Sequence, residues 1–263
     1  MKISEYLCEF LKNGNINKND RLIFHSDIRI LYKDLIKKKF KFTLNDIADH
    51  FIEYIGNKGT LIIPTFNFNF CNGENFSIKN TKSQMGVLSE VFRKKAGKNR
   101  SWHPVYSFVI FGNIPMDYLN KKNYSAYGKS SLFHWLTLSD GKIAIVDLPD
   151  QNSMTYYHHV EELMNASWRY HKDFEGDYIN FDNIKEKTAA RIFVRKLSDG
   201  IVTDVKNMEK ILWKKRLYKS KNNFSQKGCR SIKVQDLKKE VTHIINSNKA
   251  EGILYKINKL IEK

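Results

Sequence analysis

Residues 142–162 constrain the fold of this chain more than any other stretch. A strand-like run, residues 142–147, is followed by Pro149, Asp150 and Asn152, which carry turn chemistry. From Met154 the spacing turns helical. On that helix His158 stands one turn from Thr155 and one turn from both Glu161 and Glu162, because residues three and four apart share a face. A hydroxyl, an imidazole and a carboxylate therefore share one stripe at a helix start, where free N–H groups and the positive end of the helix dipole also lie. These are the parts that take a proton from a weak nucleophile and hold a developing oxyanion. A polar surface pair has the same spacing, so the stripe alone does not assign a role. His159 points about 100° away and is the weaker candidate for a base.

The rest of the chain supplies a strand–helix rhythm around this unit. Ile3, Tyr6, Leu7, Phe10 and Leu11 have helical spacing, and residues 21–24 form a short buried strand. That strand runs into His25 and Ser26, a polar pair where open α/β sheets place ligand contacts; helix capping by Ser26 or Asp27 is the other reading. An amphipathic helix over 44–55 and a strand over 60–63, stopped by Pro64, follow. Residues 65–70 alternate polar and aromatic side chains, as a strand edge or a loop lining a pocket would, which makes Phe66 and Asn67 candidate substrate contacts. Residues 81–93 read as a capped helix with Ser83 as its N-cap, residues 106–111 as a strand, and residues 132–138 as a helix capped by Ser131. Between them, Arg100, Ser101, His103 and Ser107 surround the rigid Pro104, as in an anion- or carbonyl-binding elbow, or as in a turn with a satisfied buried histidine. Beyond residue 170 the pattern predicts a strand over 189–196 that turns at Asp199-Gly200 and returns over 201–203, a helix over 208–218, a strand over 231–235 and a helix over 236–246.

Composition narrows the function. The 263 residues carry a net charge of +17, from 45 Lys and Arg against 28 Asp and Glu, which points to nucleic acid, an anionic membrane surface or a polyanionic small molecule as partner. Nucleic acid is disfavoured, since no zinc-finger or RNP-type motif accompanies the charge; a phosphate-bearing cofactor or substrate fits it. No apolar run is long enough to span a membrane, and the N-terminus lacks a signal-peptide pattern. Cys8, Cys71 and Cys229 are odd in number and far apart, with no metal spacing, so the expectation is a reducing, cytoplasmic setting with inert buried thiols and no metal.

Six motifs in order then carry a resemblance: His25-Ser26 after a strand; residues 59–66 with Pro64, Thr65 and Phe66; residues 83–93 from Ser83 to Arg93; residues 100–107; residues 127–131; and Thr155, His158 and Glu161 in a Thr-x-x-His-x-x-Glu pattern. Over residues 21–169 the chain resembles the antibiotic N-acetyltransferase family, the aminoglycoside 3-N-acetyltransferase-like proteins. The resemblance implies an α/β fold distinct from GNAT, a single domain (1–263) with a central mixed β-sheet flanked by helices. It also implies acetyl-CoA-dependent N-acetylation of an amino sugar. In the family's pattern His158 deprotonates the acceptor amine, Glu161 orients it and Thr155 lies near the thioester carbonyl. His25, Ser26, Arg100, Ser101, His103 and Ser107 fall where the pantetheine arm and phosphates are held. The strand before the histidine helix usually ends in Gly; here Asp147 stands there, and it is expected to reshape the pocket or to add a carboxylate near the amine.

Charge bears on the acceptor. Aminoglycosides are polycations and need carboxylates, whereas nucleotide-linked amino sugars are anionic and would be steered toward a basic protein. The expectation is an enzyme acting on a nucleotide-linked amino sugar for surface glycan, with aminoglycoside resistance as the rival in the same class. A catalytically inactive nucleic-acid-binding protein is the alternative outside it. Residues 175–263 are expected to shape the acceptor pocket, and the sequence leaves the oligomeric state open, a homo-oligomer included.

Overall fold

The computed structural model describes residues 1–222 and 225–258. Its centre is a five-stranded sheet of β1 (Arg21–Ser26), β2 (Thr60–Pro64), β4 (Phe108–Gly112), β5 (Lys142–Val146) and β9 (Cys229–Lys233), in the order β4-β2-β1-β5-β9. β1 runs parallel to β2 and to β5, while β4 and β9 close the two edges antiparallel. The mixed sheet expected from the resemblance is therefore present.

Both faces of the sheet are covered, which explains why β2 and β5 are buried at every position rather than alternating. Successive side chains still go to opposite sides. Leu22, Phe24, Leu61, Ile63, Val109 and Val146 pack on one face with helices α1 (Ile3–Asn13), α2 (Arg29–Lys37), α3 (Leu44–Ile55) and α4 (Val87–Lys95). Ile23, Ile62, Ile110, Ile143 and Ile145 pack on the other with α6 (Leu132–Leu138), α7 (Tyr156–Leu163), α8 (Lys206–Lys214) and α9 (Val234–Asn246). The short α5 (Met116–Asn120) lies between β4 and α6 in the chain.

A second sheet sits over this far layer. β6 (Arg169–Ile179) and β7 (Lys185–Arg195) form an eleven-residue antiparallel ribbon, with the short β3 (Phe76–Ser77) parallel to β6. β8 (Ile201–Thr203) pairs with β10 (Tyr255–Ile257). Among the described residues no helix is long and apolar enough to cross a membrane.

Several local expectations change. Ser83 does not cap α4: the helix starts at Val87 behind Gly86, whose φ of 101° suits glycine, and the Ser83 hydroxyl instead accepts from Met85 N at 3.1 Å. Ser131 does cap α6, accepting from His134 N. Neither Ser26 nor Asp27 occupies the cap position of α2, which falls to Ile28, although Asp27 accepts from Arg29 N at 3.0 Å. β8 does not return along β7. The open edge of β7 is already taken by residues 124–126, where Ala126 N donates to Arg191 O and Arg191 N donates to Tyr124 O, and β8 pairs with β10 instead. Of the three thiols only Cys229 is fully buried, and burial pushes it up to about 12; Cys8 and Cys71 are half-buried.

The register of β2 with β4 ends at Thr60 opposite Gly112, where Gly112 has φ 94° and a Cβ would stand 2.1 Å from Gly59 O. Gly112→Ala is expected to lower stability by about 2–4 kcal/mol in urea unfolding with an unchanged slope. A wild-type midpoint would contradict this account of the β2–β4 edge.

Candidate active site

The three parallel strands end on one side of the sheet, and the candidate residues gather at that end. β5 stops at Val146, and Asp147 turns the chain with φ 52°, the left-handed conformation that a glycine would take with less strain. A 3-10 turn (Asp150–Asn152) then leads to Thr155, the residue in front of α7.

This turn is fastened from below. Asp150 is buried and accepts from Tyr157 Oη at 2.5 Å, from Tyr218 Oη at 2.6 Å and from Arg230 Nη2 at 3.0 Å. Its own N–H donates to Glu209. One carboxylate thus ties the turn, the first turn of α7, the segment after α8 and β9 together. Burial of these groups is tolerable because they answer one another.

On α7, His158 turns toward Glu161 and not toward Glu162. His158 Nδ1 lies 2.7 Å from Glu161 Oε2. Glu162 accepts instead from Ser125 Oγ at 2.8 Å. The Glu161 side chain is 1% exposed and that of His158 is 20% exposed. Two further groups reach Glu161 from the start of the ribbon: Trp168 Nε1 donates to Oε1 at 3.0 Å, and Arg169 Nε stands 2.6 Å from Oε2 as an ion pair. Arg169 is held in turn by Phe193 O and the Thr203 hydroxyl. Burial alone would raise the Glu161 carboxyl, but Arg169, His158 and Trp168 outweigh it and hold it below its ordinary value. Burial, helped by Arg169, lowers His158, while Glu161 pulls it the other way. The result is a neutral imidazole with its Nδ1 proton directed at a carboxylate and Nε2 left as the acceptor. His159 faces the core, bonds Tyr127 O, and burial takes it down to about 4.

His158 and Thr155 line a cavity of about 250 Å³ together with Phe66, Met85, Tyr106 and Asn152 among others. His25 and Ser26 line a second cavity of about 470 Å³, between the ends of β1 and β2 and the start of α4. Met85 and Asn152 belong to both cavities, so the two spaces adjoin. A long donor arm in the larger space can bring its acyl end toward His158, and the mixed lining of Met85, Leu88, Leu148, Ser26 and Gln84 suits a pantetheine chain with its amides.

Other expected contacts lie elsewhere. Arg100 is 2% exposed and spends its donors on Ser107 Oγ, Ile78 O, Thr81 O and Thr65 O, with Phe76 beneath its plane. Four of its five N–H groups are thus spent inside the protein, and at this depth the guanidinium is not open to a phosphate. Ser107 bonds Thr65 O, Ser101 accepts from Phe108 N, and His103 Nδ1 accepts from Val105 N and Tyr106 N. These four residues therefore brace the loop that carries Phe66 and line neither of the two adjoining cavities, whereas Tyr106 of the same elbow lines the cavity at His158. Asn67 is also a brace, donating to Lys82 O and accepting from Asn69 N. Asp147 does not line the cavity at His158: its carboxylate accepts from Gly228 N at 2.6 Å, and burial raises its pKa. Sequence reasoning missed Arg169, Trp168, Met85 and Asn152. Arg169 and Trp168 carry no spacing signal because they meet Glu161 only after the chain turns from α7 into β6. Among the described residues no group of three or more His, Cys, Asp and Glu side chains is placed to hold a metal ion.

Burial holds His25 at about 3 and His103 and His159 at about 4, all below the ordinary 6.5. The unfolded chain takes up protons at these positions before the folded one does. Stability is therefore full above pH 6.5 and falls as the pH drops toward 4, by up to roughly 1.4 kcal/mol per pH unit per histidine. Thermal unfolding at a series of pH values checks this, and an unchanged melting temperature from pH 7 to pH 5 would contradict it.

Comparison with known proteins fits this arrangement. The model of the family described as aminoglycoside 3-N-acetyltransferase matches residues 25–246. The structure is similar to AAC-IIIb in its binary complex with CoASH, at 15% identity, 93% of this chain, 96% of that chain and a TM-score of 0.72. It is similar to the YokD protein from Bacillus subtilis, at 15% identity, 94% and 100% coverage and 0.72. It is also similar to AAC-VIa bound to sisomicin, at 14% identity, 94% and 98% coverage and 0.74. No curated protein matches the chain. With the match extending from the His25 strand through the His158 helix to the end of α9, the chain belongs to the aminoglycoside 3-N-acetyltransferase family of acetyl-CoA-dependent enzymes.

Proposed function

We propose that this chain acetylates the amino group of a nucleotide-linked amino sugar destined for a surface glycan, working in the cytoplasm. The observation that carries the acceptor choice is the lining of the 250 Å³ cavity. Asp150 is the one acidic residue among those that line it, and both of its oxygens already serve Tyr157, Tyr218 and Arg230. A polycation loses hydration on binding and needs free carboxylates to replace it. Phe66, Phe68, Met85, Tyr106 and Val205 offer none. The volume is also below the roughly 300–1,000 Å³ common for drug-sized ligands, which supports a single sugar ring. The +17 charge draws anions to the molecule. Thr203 and Val205 contribute to the lining, which is the part we assign to the C-terminal third.

In this reading the acceptor binds as the free amine, and its lone pair adds to the thioester carbonyl carbon while His158 Nε2 takes one proton from that nitrogen. The Thr155 hydroxyl donates to the oxygen that becomes negative. Collapse of the tetrahedral adduct breaks the carbon–sulfur bond, and the CoA thiolate takes the proton that His158 holds. Glu161 keeps Nδ1 protonated and steadies the imidazolium between the two transfers. His25 and Ser26 belong to the donor arm's wall.

An aminoglycoside acceptor is the second reading, favoured by the sisomicin bound to AAC-VIa. Release of CoA thiol, followed with acetyl-CoA and a panel of nucleotide-linked amino sugars and aminoglycosides, separates the two. Turnover confined to aminoglycosides would overturn the acceptor assignment. With the responding acceptor, His158→Ala is expected to cut kcat about 100-fold or more. The acid limb of the wild-type profile should have its midpoint below 6.5, because burial and Arg169 favour the neutral ring. A His158→Ala enzyme of wild-type rate would remove His158 from the mechanism.

A further inference from the structure

The end of the β6–β7 ribbon beside Glu161 holds a charge that none of the described residues answers. Arg169 opens β6 and Arg195 closes β7, and the two stand directly opposite in the register. Like charges at such a position repel. Elsewhere on the ribbon the cations have partners. Arg169 meets Glu161, Arg191 meets Asp173, Lys185 and Lys187 meet Asp177, and Lys172 lies over the Phe174 ring. Arg195 is exposed, and among the described residues no hydrogen bond or ion pair engages its side chain. It is nevertheless near enough to act electrostatically on His158. It is also outside the set of residues lining the 250 Å³ cavity. Arg169, its partner across the ribbon, donates to the hydroxyl of Thr203, which lines that cavity, so an unpaired guanidinium stands one strand away from the sugar space, placed for a group attached to the sugar rather than for the sugar itself.

We propose that Arg195 recognises the anionic group of the acceptor, taking the phosphate that links sugar to nucleotide while His158 addresses the sugar nitrogen. This rests on the nucleotide-linked acceptor reading above. Its chemistry is the planar donor fork of arginine, which matches two phosphate oxygens at once and stays charged at any working pH. A phosphate there would also remove the unfavourable Arg169–Arg195 pairing, so binding gains from both sides. Arg195 would then be a specificity residue with no part in proton transfer.

The test uses the full chain with bound CoA, and UDP and dTDP as probes with uridine as the phosphate-free control. Calorimetry on the wild type is expected to give at least tenfold tighter binding of one diphosphate than of uridine. Arg195→Ala should abolish that preference, and Arg195→Lys, which keeps the charge but not the fork, should restore part of it. Because Arg195 is exposed, both variants should keep the wild-type melting temperature, which confirms that they are folded. In turnover, Arg195→Ala should raise KM for glucosamine 1-phosphate about tenfold or more while changing kcat and the KM for glucosamine less than threefold. A wild-type preference for a diphosphate that survives in Arg195→Ala would sink the Arg195 assignment alone. A wild type with no preference for either diphosphate over uridine would sink the acceptor reading and Arg195 with it.

Discussion

The Glu161 carboxylate is the point on which the site depends. At 1% exposure it has lost nearly all its water, and a lone buried carboxylate would become protonated or destabilise the fold. Three groups prevent that: the His158 imidazole, the Trp168 indole and the Arg169 guanidinium. They come from α7, the connection after it and the first residue of β6. The carboxylate therefore fixes the angle at which the ribbon leaves the helix. It also fixes which nitrogen of His158 keeps the proton. In the proposed reaction Arg169 would matter to chemistry as well as to structure, because a carboxylate already paired with a cation raises the basicity of its histidine less than a free one would. That balance suits a base that must be unprotonated near neutral pH.

The same logic separates structural from chemical polar residues elsewhere. Arg100 and Arg230 are as buried as Glu161, but their partners are backbone carbonyls or carboxylates that lie away from the donor cavity. Arg100 locks the loop that presents Phe66, and Arg230 with Asp150 locks the turn before α7. Two rigid braces on opposite sides leave the adjoining cavities open between them. Positioning of this kind favours catalysis, since a misplaced base or oxyanion donor is costly.

Much of the fold is legible in the sequence because its signals are local. The apolar runs inside β2 and β5 and the Ser131 cap of α6 each specify an element from neighbouring residues. The Thr155, His158 and Glu161 stripe is legible for the same reason, since helix geometry alone places it. The ribbon is not. Its exposed face is rich in charge and carries little alternation, and its length depends on pairing between distant residues. The elbow at residues 100–107 misleads because Arg, Ser and His are the residues of anion sites and equally those of a buried brace. Only burial distinguishes the two. Asp147 misleads in another way: the position of a family glycine points to space for a ligand, whereas here the residue keeps the left-handed backbone and turns its carboxylate to Gly228.

The proposed chemistry requires a neutral His158 with its proton on Nδ1 and Nε2 free toward the cavity. Nitrogen-15 NMR of the histidine ring in the intact protein, followed through a pH titration, reads both properties at once. The expected result is a His158 midpoint below 6.5 and, at neutral pH, the chemical shifts of the Nδ1–H tautomer. A midpoint above 6.5, or an Nε2–H tautomer at neutral pH, would contradict it.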